Sequence, residues 1–167
     1  MRLLGLDPGL RTTGWGVIDA IDNRLCWIAD GIVPSDDKLC LADRLAQLHR
    51  GVLAVIDRYG PIEAAVEETF VNRNPSSTLK LGQARGAVLV AAGLAGLVVA
   101  EYAPNLVKKS VVGTGHAAKE QIGMMVRQLL PGCLAMTADA ADALAVAICH
   151  AHHRTTRRLL QAAEHRP

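Results

Sequence analysis

The sequence predicts an α/β fold, a mixed five-stranded sheet flanked by helices. Three observations predict it. The chain opens with three strand-like runs separated by turn signals. It then alternates helical periodicity with short apolar runs, the pattern of strands covered on both faces. Half of its 167 residues are hydrophobic, which allows a sizeable core, yet only Trp15, Trp27, Tyr59, Phe70 and Tyr102 are aromatic. Leu, Val, Ile and Ala must therefore fill that core.

Residues 2–7 read as a short buried strand that ends in the turn Asp7-Pro8-Gly9. Residues 13–19 and 25–33 read as the second and third strands, and Asp22-Asn23 suits the tight turn between them. Ser35-Asp36-Asp37 has the composition of a helix cap. Leu41, Leu45, Leu48, Val52 and Val55–Ile56 then recur at helical spacing until Gly60-Pro61. Residues 62–66 read as a central strand, with Glu67 and Glu68 at its end. Residues 71–77 are loop-like, and a helix is expected from about Ser77 to Leu94. A fifth strand follows at 97–101, then a helix at 117–130 stopped by Pro131-Gly132. Thr137 suits the cap of a last helix, from Ala138 to about Arg158. One domain over 1–158 is expected, with a basic tail over 159–167 that frays.

The four cysteines, Cys26, Cys40, Cys133 and Cys149, form no C-x-x-C pair. Zinc and redox motifs are not indicated, and buried free thiols in a reducing compartment are expected. The apolar start is too short for a signal peptide. The most apolar stretch, 87–100, falls short of the roughly 20 residues of a membrane span. A soluble cytoplasmic protein is expected.

The chemistry lies in acids that interrupt apolar context. Asp7 ends the first strand, where a turn residue before Pro-Gly is an equally good reading. Glu67 and Glu68 end a central strand, a place where sites gather in parallel sheets. Composition does not choose between them, and a solvated strand end accounts for either alone. Asp139 and Asp142 lie three apart, on one helix face. The helix dipole is sufficient reason for Asp139. Asp142 precedes the apolar run Ala143 to Ile148 and has no basic residue within a helical turn, so it needs a partner. A divalent cation would serve. Mg²⁺ binds a few carboxylates together with water and substrate phosphate. Two such ions about 4 Å apart can activate a water and stabilise a leaving oxygen in phosphodiester hydrolysis. The formal net charge is +2. Were four acids committed to metal, the other acids would leave the 18 basic residues in clear excess, compatible with a polyanionic partner.

The motifs resemble the RuvC family of bacterial Holliday-junction resolvases. Leu4-Gly-Leu-Asp-Pro-Gly-Leu-Arg-Thr-Thr-Gly14 is similar to its first motif. Glu67-Glu-Thr-Phe70 with Leu79-Lys-Leu-Gly-Gln-Ala-Arg-Gly86 is similar to its second region. Tyr102-Ala-Pro104 and Val107-Lys-Lys-Ser-Val-Val-Gly113, continuing to Lys119, resemble its third, and Asp139-Ala-Ala-Asp-Ala-Leu-Ala145 its fourth. Order and spacing hold over about residues 1–155. The resemblance implies an RNase H-like fold, a homodimer, and catalysis by Asp7, Glu67, Asp139 and Asp142 holding two Mg²⁺ ions, with Mn²⁺ able to substitute. It selects Glu67 over Glu68. It implies symmetric nicks in four-way DNA junctions during homologous recombination and repair, leaving 5′-phosphate and 3′-hydroxyl ends. It also implies a branch-migration complex of RuvA and RuvB as partner.

For DNA contacts the resemblance makes Phe70 a base-stacking residue, a contact worth roughly 1–3 kcal/mol per base; a core phenylalanine is the competing reading. It favours Lys108 and Lys119 near the scissile phosphate, with Lys109 an alternative to Lys108. Arg73, Lys80 and Arg85 are weaker candidates, and Asn72, Arg73 and Asn74 lie in a loop expected to touch DNA. The small residues of 79–94 suit packing on the sheet and, by resemblance, a dimer interface. Three other readings compete: an enzyme cutting RNA–DNA hybrid, an actin-like kinase, and a junction binder without catalysis. The kinase would need two such domains, and the full acid set argues against the binder.

Overall fold

The computed structural model describes residues 1–22, 24–68, 74–115, 118–135 and 137–164; for Lys119 and 155–164 it describes the backbone alone. Three strands, β1 (Arg2–Asp7), β2 (Thr12–Ile21) and β3 (Arg24–Pro34), form the antiparallel opening. Helix α1 (Leu41–Tyr59) leads to β4 (Glu63–Glu67), and α2 (Pro75–Leu94) to β5 (Val98–Tyr102). Helices α3 (Pro104–Val112), α4 (Lys119–Leu129) and α5 (Ala138–Glu164) complete the chain. The sheet order is β3-β2-β1-β4-β5, with β1, β4 and β5 mutually parallel.

Strand alternation divides the core between two faces. On one, Leu4, Leu6, Val17, Ala64 and Val66 pack with Leu48 and Val52 of α1 and Val88 and Ala92 of α2. On the other, Leu3, Ile18 and Ala65 pack with Val107 of α3, Val126 of α4 and Leu144 and Ile148 of α5. The second face places the site, because α5 lies directly across β1 and β2. Glycine makes this approach possible. A Cβ on Gly5 would overlap the Ala143 carbonyl, one on Gly14 the Asp139 carbonyl, and one on Gly16 the Leu144 side chain. Gly5 pairs with Gly16 and Asp7 with Gly14 across the β1–β2 ladder, so all three glycines share the face that carries Asp7.

Several expectations need correction: α5 runs to Glu164 rather than to about Arg158, so residues 159–164 continue the helix where a frayed tail was expected. Ser35-Asp36-Asp37 caps no helix. Asp36 Oδ1 accepts from the Lys38 amide at 3.0 Å, the Ser35 hydroxyl donates to the Leu10 carbonyl, and α1 begins only after Cys40. Asn74 belongs to α2 rather than to a free loop. Its Oδ1 accepts from the Ser76 and Ser77 amides, and Pro75 stands in the first turn, so the helix starts two residues before Ser77. The nine-residue α3 was not expected at all. The thiols also differ: Cys133 and Cys149 are buried, but Cys26 is half-buried and Cys40 exposed. Among the described residues no helix is long and apolar enough to cross a membrane.

Candidate active site

Asp7 and Glu67 are the last residues of neighbouring parallel strands. The register pairs Leu6 with Val66, which puts the two acids side by side one step further on, with about 4.8 Å between strands. Asp7 shares a face with Leu3 and Gly5, and Glu67 with Glu63 and Ala65, the face covered by α5. Strand parity thus turns Glu67, and not Glu68, toward the helix. Asp142, one turn into α5, meets them. A pocket of about 210 Å³ is lined by Asp7, Glu67, Asp142, Lys108, Pro104, Val107, Ile122 and Ala145. It opens at the carboxyl ends of the parallel strands, where open α/β sheets place their ligands.

Three of the four predicted acids and the favoured lysine therefore surround one space. Asp139 stands to the side. Its Oδ2 accepts a 2.6 Å hydrogen bond from the Thr12 hydroxyl, and it does not line the pocket. Its backbone nevertheless rests on Gly14, the cross-strand partner of Asp7. Lys80 is exposed. Arg85 ion-pairs with Glu101 and reaches the Glu67 carbonyl at 3.4 Å, so it braces the end of β4. Phe70 and Arg73, with Asn72, lie outside the described residues, as does the side chain of Lys119.

Sequence reasoning missed the residues that hold this arrangement in place. Ser110 of α3 donates to the Leu106 carbonyl at 2.8 Å and lies 3.0 Å from His153 Nε2 and 3.3 Å from the Cys149 sulfur of α5. These contacts tie the helix of Lys108 to the helix of Asp142. Burial pushes the Cys149 thiol up from its ordinary value, the Ser110 hydrogen bond pulls it back, and the charge of Glu67 adds a further upward push. A second cluster lies at the far end of β4. His150 Nε2 is 2.9 Å from Glu63 Oε2, and its Nδ1 is 2.9 Å from the Tyr102 hydroxyl. A carboxylate only accepts, so Nε2–H donates to Glu63, while Nδ1 and the Tyr102 hydroxyl share the second hydrogen bond. The signal for this cluster was an acid and a histidine within otherwise apolar runs.

The donor chemistry of the pocket fits a hard divalent cation, since its acids offer oxygen alone. Among the described residues no three His, Cys, Asp or Glu side chains converge tightly enough to hold a metal by themselves. Mg²⁺ needs no such cage, because it binds through one or two carboxylates and completes its shell with water and substrate phosphate.

A mixed five-stranded sheet in this order, with acids at the ends of its central strands, defines an RNase H-like α/β protein. Residues 3–150 match the model of the crossover junction endodeoxyribonuclease RuvC. The crossover junction endodeoxyribonuclease RuvC of Rhodospirillum rubrum is 73% identical over 154 residues, covering 92% of this chain and 91% of that protein. That of Paramagnetospirillum magneticum is 69% identical, covering 98% of each. The structure of Thermus thermophilus RuvC in complex with a Holliday junction substrate superposes with a TM-score of 0.86 at 37% identity, covering 94% of this chain and 96% of that one. This chain belongs to the RuvC family.

Proposed function

We propose that this chain resolves four-way DNA junctions by paired symmetric nicks, with Asp7, Glu67, Asp139 and Asp142 as its catalytic acids and as the ligands of two Mg²⁺ ions. The observation that carries this reading is the single pocket shared by Asp7, Glu67, Asp142 and Lys108 at the ends of parallel strands. Bound there, the ions would supply an activated water and neutralise charge during in-line displacement, leaving 5′-phosphate and 3′-hydroxyl ends. The protein's own part is placement. Two strand ends fix Asp7 and Glu67. Helix α5, seated on glycine, brings Asp142 against them. Lys108 sets a cation at the pocket wall, where it offsets phosphate charge. Val107, Ile122 and Ala145 give the pocket apolar walls that limit water.

Two opposed cuts need two such sites related by a two-fold axis, hence a homodimer. Leu79, Val90 and Leu94 of α2 and Val98 of β5 are exposed and apolar, which suits burial against a second copy. Phe70 follows the pocket strand in sequence and would stack on bases that an opened crossover unpairs. Lys119, Arg73 and Lys80 would contact phosphate. Arg85, committed to Glu101, supports the site more than it touches DNA. A RuvA–RuvB complex would deliver the junction to this single domain in the cytoplasm. Mn²⁺ would replace Mg²⁺.

The test mixes the protein with a mobile four-way junction, linear duplex and RNA–DNA hybrid, in Mg²⁺ or EDTA. Paired nicks in the junction alone, abolished by EDTA, are expected. Equal cutting of junction and duplex would sink the reading.

A further inference from the structure

The contact between Thr12 and Asp139 joins the first residue of β2 to the first turn of α5, 127 positions apart. At 2.6 Å it is a short hydroxyl-to-carboxylate hydrogen bond. It occupies Oδ2 and leaves Oδ1. Thr12 and Gly14 are two apart on β2 and so share a face. Gly14 receives the Asp139 backbone, where any Cβ would overlap the carbonyl, and Thr12 takes the carboxylate. The first turn is fixed from its other side as well, by the Ala140 amide donating to Thr137 Oγ1 at 3.2 Å. Backbone and side chain of Asp139 are therefore both seated, beside the cross-strand partner of Asp7.

From this geometry we infer that Thr12 is a positioning residue of the metal site: it holds the Asp139 carboxylate through Oδ2 and leaves Oδ1 for a divalent cation. The inference rests on the proposed assignment of Asp139 as a metal ligand. A ligating carboxylate is commonly held by such an outer hydrogen bond, and loss of the holder weakens metal affinity about 10–100-fold. Without the Thr12 hydroxyl the Asp139 side chain regains its rotamers, and the cation must order it on binding.

Calorimetric titration of Mn²⁺ and Mg²⁺ into the DNA-free protein tests this, using wild type, Thr12→Val, Thr12→Ser and Asp139→Asn. Valine matches threonine in shape and suits a strand, so the fold is kept; serine keeps the hydroxyl. Thr12→Val is expected to weaken binding about tenfold or more, with its cleavage restored at high Mn²⁺, while Thr12→Ser binds close to wild type. Wild-type affinity in Thr12→Val together with weak binding in Asp139→Asn would overturn the role of Thr12 and leave the acid site standing. Wild-type affinity in Asp139→Asn would remove Asp139 from the site, and the inference with it. Equal weakening in the valine and serine variants would show that the hydroxyl is not what matters, and would also overturn it.

Discussion

Glu63 and Glu67 are the same residue type on the same face of the same five-residue strand, and they have opposite fates. Glu63 is 3% exposed. It accepts from His150, Tyr102 completes the chain of hydrogen bonds, and Arg154 Nε lies 3.6 Å away. Glu67 lines an open pocket with two further acids and one lysine. A buried carboxylate persists only where partners replace its water, so the Glu63 end of β4 reads as a structural joint between β4, β5 and α5. Acids gathered around a pocket raise electrostatic energy in the empty protein, and such groupings persist where a ligand relieves it. The two ends of β4 thus divide between stability and chemistry. They lie about 13 Å apart at the ordinary strand rise.

This division can be broken at three points. The largest expected effect is at the pocket end. Glu67→Gln should slow junction cleavage by about 10³-fold, near 4 kcal/mol at 1.36 kcal/mol per decade, while thermal unfolding moves by no more than about 2–4 °C. Single-turnover cleavage and a melting curve on the same preparation measure both. At the other end, Glu63→Ala removes one member of a buried pair and strands His150, at a cost of about 3 kcal/mol, or roughly 10 °C in Tm. Its cleavage rate at a temperature well below Tm should stay within about threefold of wild type. A rate loss at Glu63 as large as that at Glu67 would dissolve the distinction. Gly14→Ala lies between the two. The new methyl group meets the Asp139 carbonyl, so α5 must shift, at a cost of about 1–3 kcal/mol. Stability and cleavage should fall together, read from urea unfolding and single-turnover rates.

Much of this was legible in the sequence, for identifiable reasons. The strands were readable because apolar runs end at strong turn residues, as Leu3–Leu6 ends at Asp7-Pro8-Gly9. Asp142 was readable because a carboxylate beside an apolar run with no basic neighbour is costly and so conspicuous, whereas Asp7 and the Glu67–Glu68 pair each had an adequate turn or strand-end reading. Two kinds of feature stayed hidden. Local polar clusters are ambiguous: Ser35-Asp36-Asp37 could cap a helix, but its side chains close a turn on Lys38 and bind the Leu10 carbonyl instead. Features with long sequence separation could not be seen at all. The glycines 5, 14 and 16 look like ordinary strand glycines until α5 lies on them, and neither Thr12 nor Ser110 shows that its partner is on the last helix. The preference for Glu67 over Glu68 came from a family resemblance; in the fold it is Glu67, the last residue of β4, that lines the pocket.

The most direct test of the central claim separates binding from cutting at Asp7, the acid at the end of β1. Asp7→Asn keeps the shape and removes the charge. With Mg²⁺ and a four-way junction, the variant is expected to shift the junction in a native gel at wild-type protein concentrations and to release no nicked product. Normal cleavage by Asp7→Asn would contradict the account.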